Sequence, residues 1–157
     1  MRMLLAVLLA VGSLAAASYQ GPRPAKPDVL YLLHADNLVE TEQQTATEEH
    51  KGSGKKAVAT YVLAGAGSPV KTPLASPVFI IQPKTLDVNQ LGVYRMESRE
   101  GRREIVLNSK KQGHGITLTV APLEEGLYRV EVADSLPNGE YVITPQGSNL
   151  VFAFAVY

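Results

Sequence analysis

The sequence predicts an all-β protein, an antiparallel sandwich or barrel of about eight to ten short strands, on three observations. Apolar residues recur with a period of two through most of the chain. Val, Thr and Ile, which suit a pleated and half-buried surface, fill 31 of the 157 positions. Thirteen Gly and ten Pro punctuate those runs, at the spacing of hairpins rather than of helices. The length suits one domain.

Composition removes several functions. Fifteen basic residues balance fifteen acidic ones, so the positive footprint of a nucleic-acid binder is missing and no nucleic-acid partner is expected. The absence of Cys excludes disulfide scaffolds, thiol nucleophiles and Cys-bearing metal sites. No motif implies a cofactor.

The chain opens with the order of a cleavable signal peptide over residues 1–17: Arg2, an apolar run over 3–11, Gly12-Ser13, then Ala15-Ala16-Ala17 as the small-x-small cleavage pattern. The apolar run is shorter than the roughly 20 residues a bilayer span needs, and nothing downstream reaches that length. An exported protein with no membrane span after cleavage is expected, in a periplasm or outside the cell. Residues 18–27, with Pro22, Pro24 and Pro27 among polar neighbours, read as an extended, solvated lead-in. The single folded domain then occupies 28–157.

Each strand has its own signal. Residues 29–35 meet the turn pair Asp36-Asn37, and 38–48 follow as the second arm of a first hairpin. Val39, Thr41, Thr45 and Thr47 tip residues 36–50 to strand over the competing helix. Gly52-Ser53-Gly54 turns the chain into 57–64, where Tyr61 and Leu63 share one face with Ala59. Residues 65–77 form a Pro/Gly/Ser-rich connection, and Pro77 and Pro83 either confine the strand at 78–82 to a sheet edge or limit its length. Segments 93–97 and 103–107 flank a turn at 98–102, with Tyr94 and Met96 facing Ile105 and Leu107. Ile116, Leu118 and Val120, and then Tyr128, Val130 and Val132, mark the clearest half-buried strands. Residues 141–144 and 151–157 complete the set. Leu136-Pro137-Asn138-Gly139-Glu140-Tyr141 delivers a Tyr at the start of a strand, where its hydroxyl is expected to bond to nearby backbone as a tyrosine corner does.

Four pieces of the chain carry a resemblance: Leu30-Tyr31-Leu32-Leu33 with Leu38-Val39-Glu40; Tyr94-Arg95-Met96 with Arg103-Glu104-Ile105; Tyr128-Arg129-Val130; and Leu136 to Tyr141 leading to Val151-Phe152-Ala153-Phe154-Ala155-Val156. Together they resemble an uncharacterised family of exported bacterial immunoglobulin-like proteins of acidobacterial type. Ala155 stands where that family usually has glycine, and a cysteine common in its members is missing. The resemblance implies a secreted immunoglobulin-like β-sandwich with no assigned activity.

Candidate chemistry is sparse. His34, His50 and His114 each stand alone in their segments as strand, turn and loop residues, so no metal site is expected. Gly65-Ala66-Gly67-Ser68-Pro69 lacks the strand-turn-helix setting of a hydrolase serine. Glu48-Glu49 and Glu124-Glu125 are neighbours that point apart in polar turns, where two carboxylates working as acid and base must face each other across a cleft. Basic residues do cluster at two tips: Lys51, Lys55 and Lys56 on one, and Arg99, Arg102 and Arg103, with Lys110 and Lys111, on the other. Exposed Arg and Lys suit carboxylate or phosphate recognition, so these are the partner-binding candidates. The C-terminal strand places Phe152, Phe154 and Val156 in the core. The expected function is an exported, non-catalytic binding module of the cell envelope that meets another envelope protein or a surface polymer. The alternatives are a subunit that assembles by strand pairing through the polar arms, or a small hydrolase.

Overall fold

The computed structural model describes residues 18–106 and 116–157. The expected signal peptide, Leu107, Lys110, Lys111 and His114 lie outside them.

Thirteen strands run through the described residues, more than expected: β1 (Tyr31–His34), β2 (Asn37–Glu40), β3 (Glu42–Thr45), β4 (Thr47–Lys51), β5 (Val58–Ala64), β6 (Lys71–Thr72), β7 (Val78–Ile81), β8 (Leu91–Arg99), β9 (Arg102–Val106), β10 (Leu118–Glu124), β11 (Leu127–Val132), β12 (Gly139–Pro145) and β13 (Leu150–Val156). They form two sheets. One has five antiparallel strands in the order β10-β11-β7-β1-β2; the other runs β3-β13-β12-β8-β9-β5-β4, with β6 parallel to β13.

The second sheet closes on itself. Its terminal strands β3 and β4 are consecutive in the chain, separated by Ala46 alone, whose amide donates to Asn149 O at 2.7 Å. β3 pairs with β13 while β4 pairs with β5. The Gln44 amide bridges the remaining interval, donating to Ala64 O at 3.3 Å and accepting from Ala64 N at 3.2 Å. One bent strand thus seals a ring of six, β3/β4-β13-β12-β8-β9-β5, in which every ladder is antiparallel.

Side-chain parity follows from the ring. Even residues of β12 and odd residues of β13 point inward, where Val142, Val151 and Ala153 meet Ala46, Leu63, Met96 and Ile105. A six-stranded barrel is narrow, so small residues are needed inside it. The opposite face of the same wall packs on the five-stranded sheet: Tyr141, Ile143, Phe152, Phe154 and Val156 meet Leu30, Leu32, Phe79, Ile81 and Val130. Phe79 and Phe154 stand edge to face, with ring centroids 5.0 Å apart. Being covered on both sides, β13 is apolar at every position from Val151 to Val156. The core placement of Phe152, Phe154 and Val156 holds.

Several local expectations are corrected. The first turn is Ala35-Asp36, because His34 pairs with Asn37; Ala35 adopts a left-handed φ of 52°. The arm expected over 38–48 is not one strand. It leaves the five-stranded sheet after β2 and crosses at Thr41, whose amide and hydroxyl both donate to Leu30 O. It then enters the ring as β3 and β4. Residues 36–50 form strand rather than the competing helix, as expected, apart from Asp36 in the turn and the breaks at Thr41 and Ala46. β7 is central rather than at an edge: Pro77 and Pro83 flank it, so they shorten it to four residues without removing a ladder amide. The turn expected at 98–102 contracts to Glu100-Gly101, both with positive φ (50° and 79°), since Arg99 pairs with Arg102; this is the turn whose twist matches a hairpin.

The lead-in is not freely solvated. It carries no strand, yet Pro24 is buried, Arg23 pairs with Glu124, and Lys26 lies 2.9 Å from Glu40. The tyrosine corner is present as expected: the buried Tyr141 hydroxyl donates to Pro137 O at 2.7 Å.

Candidate functional site

The two ends of the barrel differ in chemistry. At one end Arg103, 1% exposed, reaches Glu42 through two hydrogen bonds of 2.8 Å, one from each terminal nitrogen. It also donates to Gly65 O at 3.0 Å and Ala64 O at 2.7 Å, and lies 3.7 Å from Glu140. Glu140 accepts from Ser68 N at 2.8 Å. Loop 64–70 is thereby drawn across this end. Burial opposes the charge of Glu42, but the Arg103 guanidinium, helped by Ser68 and Gln44, holds its carboxyl below the usual range.

Arg103 is therefore not a partner-binding residue. It lies on the inward face of β9 because it shares the parity of Ile105, and an enclosed guanidinium satisfied by carboxylate and carbonyls has nothing left for a ligand. Arg102, one position out of phase, faces outward and is partly covered. It is held by Glu49 at 3.1 Å and Glu104 at 2.6 Å. Arg99 is exposed at the end of β8.

The basic tips also fail to form one surface. On the β5-β9 ladder Ala64 faces Arg102 at one end and Thr60 faces Val106 at the other. The β8-β9 turn, with Arg99, lies at the closed end. The β4-β5 turn, with exposed Lys51 and Lys55 and the backbone of Lys56 in a 3-10 turn, overhangs the opposite end. Of the arms, β5 is paired on both sides, whereas β3 and β4 each carry a ladder on one side only, β3 with β13 and β4 with β5. The outer strands of the five-stranded sheet, β2 and β10, are the edges there. β2 is only four residues long, and β10 carries Pro122 and a bulge before Glu124, devices that discourage edge pairing.

Among the described residues, the end beneath the lysine tip is open. A cavity of about 580 Å³ lies there, lined from all six walls: Ala46 and Glu48, Tyr61, Ile105, Gly92 and Tyr94, Thr144, and Val151. Its rim consists of two loops, Asn89-Gln90-Leu91 and Pro145 to Asn149. Leu63, Met96, Val142 and Ala153 fill the barrel between this cavity and the Arg103 cluster. The opening has a cause in the ladder. β8 pairs with β9 over only three residue pairs, Glu97 to Arg99, and then follows β12, while β9 stays with β5. The wall parts where Ile105, Gly92 and Tyr94 line the cavity.

Fixed elements position the rim. Asp28 accepts from the amides of Lys84 (2.7 Å), Thr85 (2.9 Å) and Leu86 (3.0 Å) and from the Thr85 hydroxyl (2.9 Å). Burial works against its charge, yet these donors bring its carboxyl down to about 2. The loop so held leads into the 3-10 turn Val88–Gln90, where Asp87 caps Asn89 N at 2.9 Å. On the other side Thr144 donates to Leu150 O at 2.8 Å, tying the 145–149 turn to its own strands.

Glu48 and Tyr61 are register partners across β4 and β5. Burial, then the charge of Glu48, holds the Tyr61 hydroxyl above its usual pKa. His50, expected in a turn and without a neighbour, is in β4 with Nε2 3.1 Å from Glu48 Oε1. Glu48 lies two residues away on the same face, a spacing that alternation supplies. Glu48 and Glu49 do point apart, one to the cavity and one to Arg102. His34 is exposed at the end of β1. Among the described residues no three His, Asp or Glu converge as a metal site, and no helix is long and apolar enough to cross a membrane. Sequence reasoning named Tyr94 and Ile105 as inward neighbours, but missed the cavity because its described lining comes from five separate stretches of the chain.

Compared with protein-family models, curated proteins and solved structures, this chain matches none.

Proposed function

We propose that this protein is an exported, non-catalytic binding module and that its ligand enters the open end of the barrel rather than the basic tips. The observation that carries the reading is the cavity of about 580 Å³ lined from every strand of the ring, a size and concavity that suit a small ligand or the end of a polymer. Its placement supports the same reading: it lies on a rigid ring and its rim is fixed by Asp28 and Thr144. Export rests on the N-terminal pattern of Arg2, the apolar run and Ala15-Ala16-Ala17. An envelope protein or surface polymer presenting a compact group is the partner in view. Immunoglobulin-like kinship rests on the tyrosine corner at Tyr141 and on two antiparallel sheets sharing a core; the ring closure is an addition to that plan.

The test is backbone-amide NMR of the purified protein, titrated with a panel of small probes: a neutral disaccharide, an alkylammonium salt, an amino acid and a carboxylate. Shifts are expected at residues 89–92, 144–149 and Tyr61. Shifts confined to Lys51, Lys55 and Arg99, with the open end silent, would return the function to the basic tips. A second reading, a small hydrolase, is favoured by the His50 to Glu48 contact at the cavity's edge. Loss of ester or glycoside turnover in His50→Ala with probe binding retained would establish it over the first.

A further inference from the structure

Resting on the reading of the open end as the ligand site, we infer that this site takes a small organic cation, its ammonium group held by Tyr61, Tyr94 and Glu48. Charge is the first argument. Among the described residues, sixteen line the cavity, and of these Glu48 alone carries a formal charge, which is negative. Lys51 and Lys55 of the overhanging hairpin are not among the lining residues. Lys51 lies on the other face of β4, one position out of phase with Glu48, and Lys55 belongs to the turn beyond the strands. An anion would meet a carboxylate, with no Lys or Arg among the described lining residues; a cation finds its complement there.

The second argument is the pair of tyrosines. Both are half-buried against the barrel core while still lining the cavity, so each presents aromatic surface without being free to swing into solvent. Tyr94 lies along its own strand across Gly92: a Cβ at Gly92 would come within 3.2 Å of its Cε2 and 3.3 Å of its hydroxyl oxygen. Glycine at 92 thus leaves the room that the ring occupies. Aromatic faces attract cations through their quadrupole, most strongly where water is partly excluded. Burial first, and then the charge of Glu48, its register partner across β4 and β5, hold the Tyr61 hydroxyl above its usual pKa. His50 engages Glu48 Oε1 at 3.1 Å and orients the carboxylate along β4.

The third argument is the floor. Ala46, Ile105 and Val151 close the bottom of the cavity with apolar surface, which suits the methyl or methylene groups around an ammonium nitrogen and does nothing for a sugar hydroxyl. The polar amides of the rim, Asn89, Gln90, Gln146 and Asn149, remain available to whatever carries the cation.

The experiment titrates the protein with choline chloride, with its uncharged carbon isostere 3,3-dimethylbutan-1-ol, and with cellobiose, following Tyr61 and Tyr94 ring signals and the amides of 89–92. Choline is expected to saturate these shifts, with the isostere about tenfold weaker or more. Glu48→Gln, an exposed position whose change leaves the fold intact, is expected to abolish that difference. Tyr94→Ala is expected to weaken choline by roughly threefold to thirtyfold, and Gly92→Ala, which displaces the ring without removing it, by less. Equal affinity for choline and the isostere, or no effect of Glu48→Gln, would overturn the inference. Saturation by cellobiose without a choline response overturns the cation and leaves the open end as a binding site. Silence to all three probes removes both.

Discussion

The closed and open ends of the same six-stranded ring invert the usual relation between charge and exposure. At the closed end charge is drawn inward: buried Arg103 and half-buried Glu42 and Glu140 direct their polar atoms at one another and at loop 64–70. At the open end the described residues lining the cavity are tyrosines, amides and small or apolar side chains with a single carboxylate. The closed end is an anchor that consumes its own charge; the open end leaves its polarity unspent. A row of basic residues in a sequence is thus a poor guide to a binding surface when strand parity sends one of them indoors.

The largest expected effect falls on the closed end. Arg103→Met leaves the half-buried Glu42 without its cation and should destabilise the protein by about 3 kcal/mol, read as a drop in the denaturation midpoint with an unchanged slope. Adding Glu42→Gln should recover part of that loss, because the penalty lies in the orphaned carboxylate. A small effect of the single change would mean that the two ends do not differ as described.

Next comes the clamp behind the open rim. Asp28→Asn removes the charge that holds the Lys84, Thr85 and Leu86 amides and should cost about 1–2 kcal/mol at neutral pH. Since the folded carboxyl titrates at about 2 against 3.8 for its ordinary value, its contribution is present in full above the ordinary value and is lost as pH falls through 2. The gap between native and variant stability should therefore narrow between pH 5 and pH 2; a gap independent of pH would refute the clamp.

Tyr141→Phe probes the wall that both ends share. It deletes the hydroxyl bonded to Pro137 O while keeping the stacked ring, with its centroid 5.7 Å from that of Phe154, and should cost about 1 kcal/mol in chemical denaturation. The smallest effects belong to the exposed tips. Lys51→Ala, Lys55→Ala and Arg99→Ala should each change stability by less than about 0.5 kcal/mol, in contrast to Arg103 four positions from Arg99.

Much of the fold was legible in the chain. Alternation located β5, β8, β10, β11 and β13, and residues Pro137 to Tyr141 announced a corner whose hydrogen bond spans only four positions. Such signals are local, so short-range chemistry expresses them. Arg103 was legible in principle: Ile105 reads as inward, and two residues earlier on a strand is the same face. It was misread because a cluster of charges next to a turn looks solvated when its burial depends on partners 38 and 61 positions away.

By itself, the sequence determined that this chain is built from short antiparallel strands, where most of them turn, and which residues alternate inward, because period and turn chemistry act over a few residues. Tertiary structure alone decided that residues 42–51 divide between two partners and close a ring, that one end is stapled by Arg103, and that the other opens into a cavity. Those outcomes depend on pairings between distant segments, such as β3 with β13 and β4 with β5, and a strand's own residues carry its periodicity but not the identity of its neighbour.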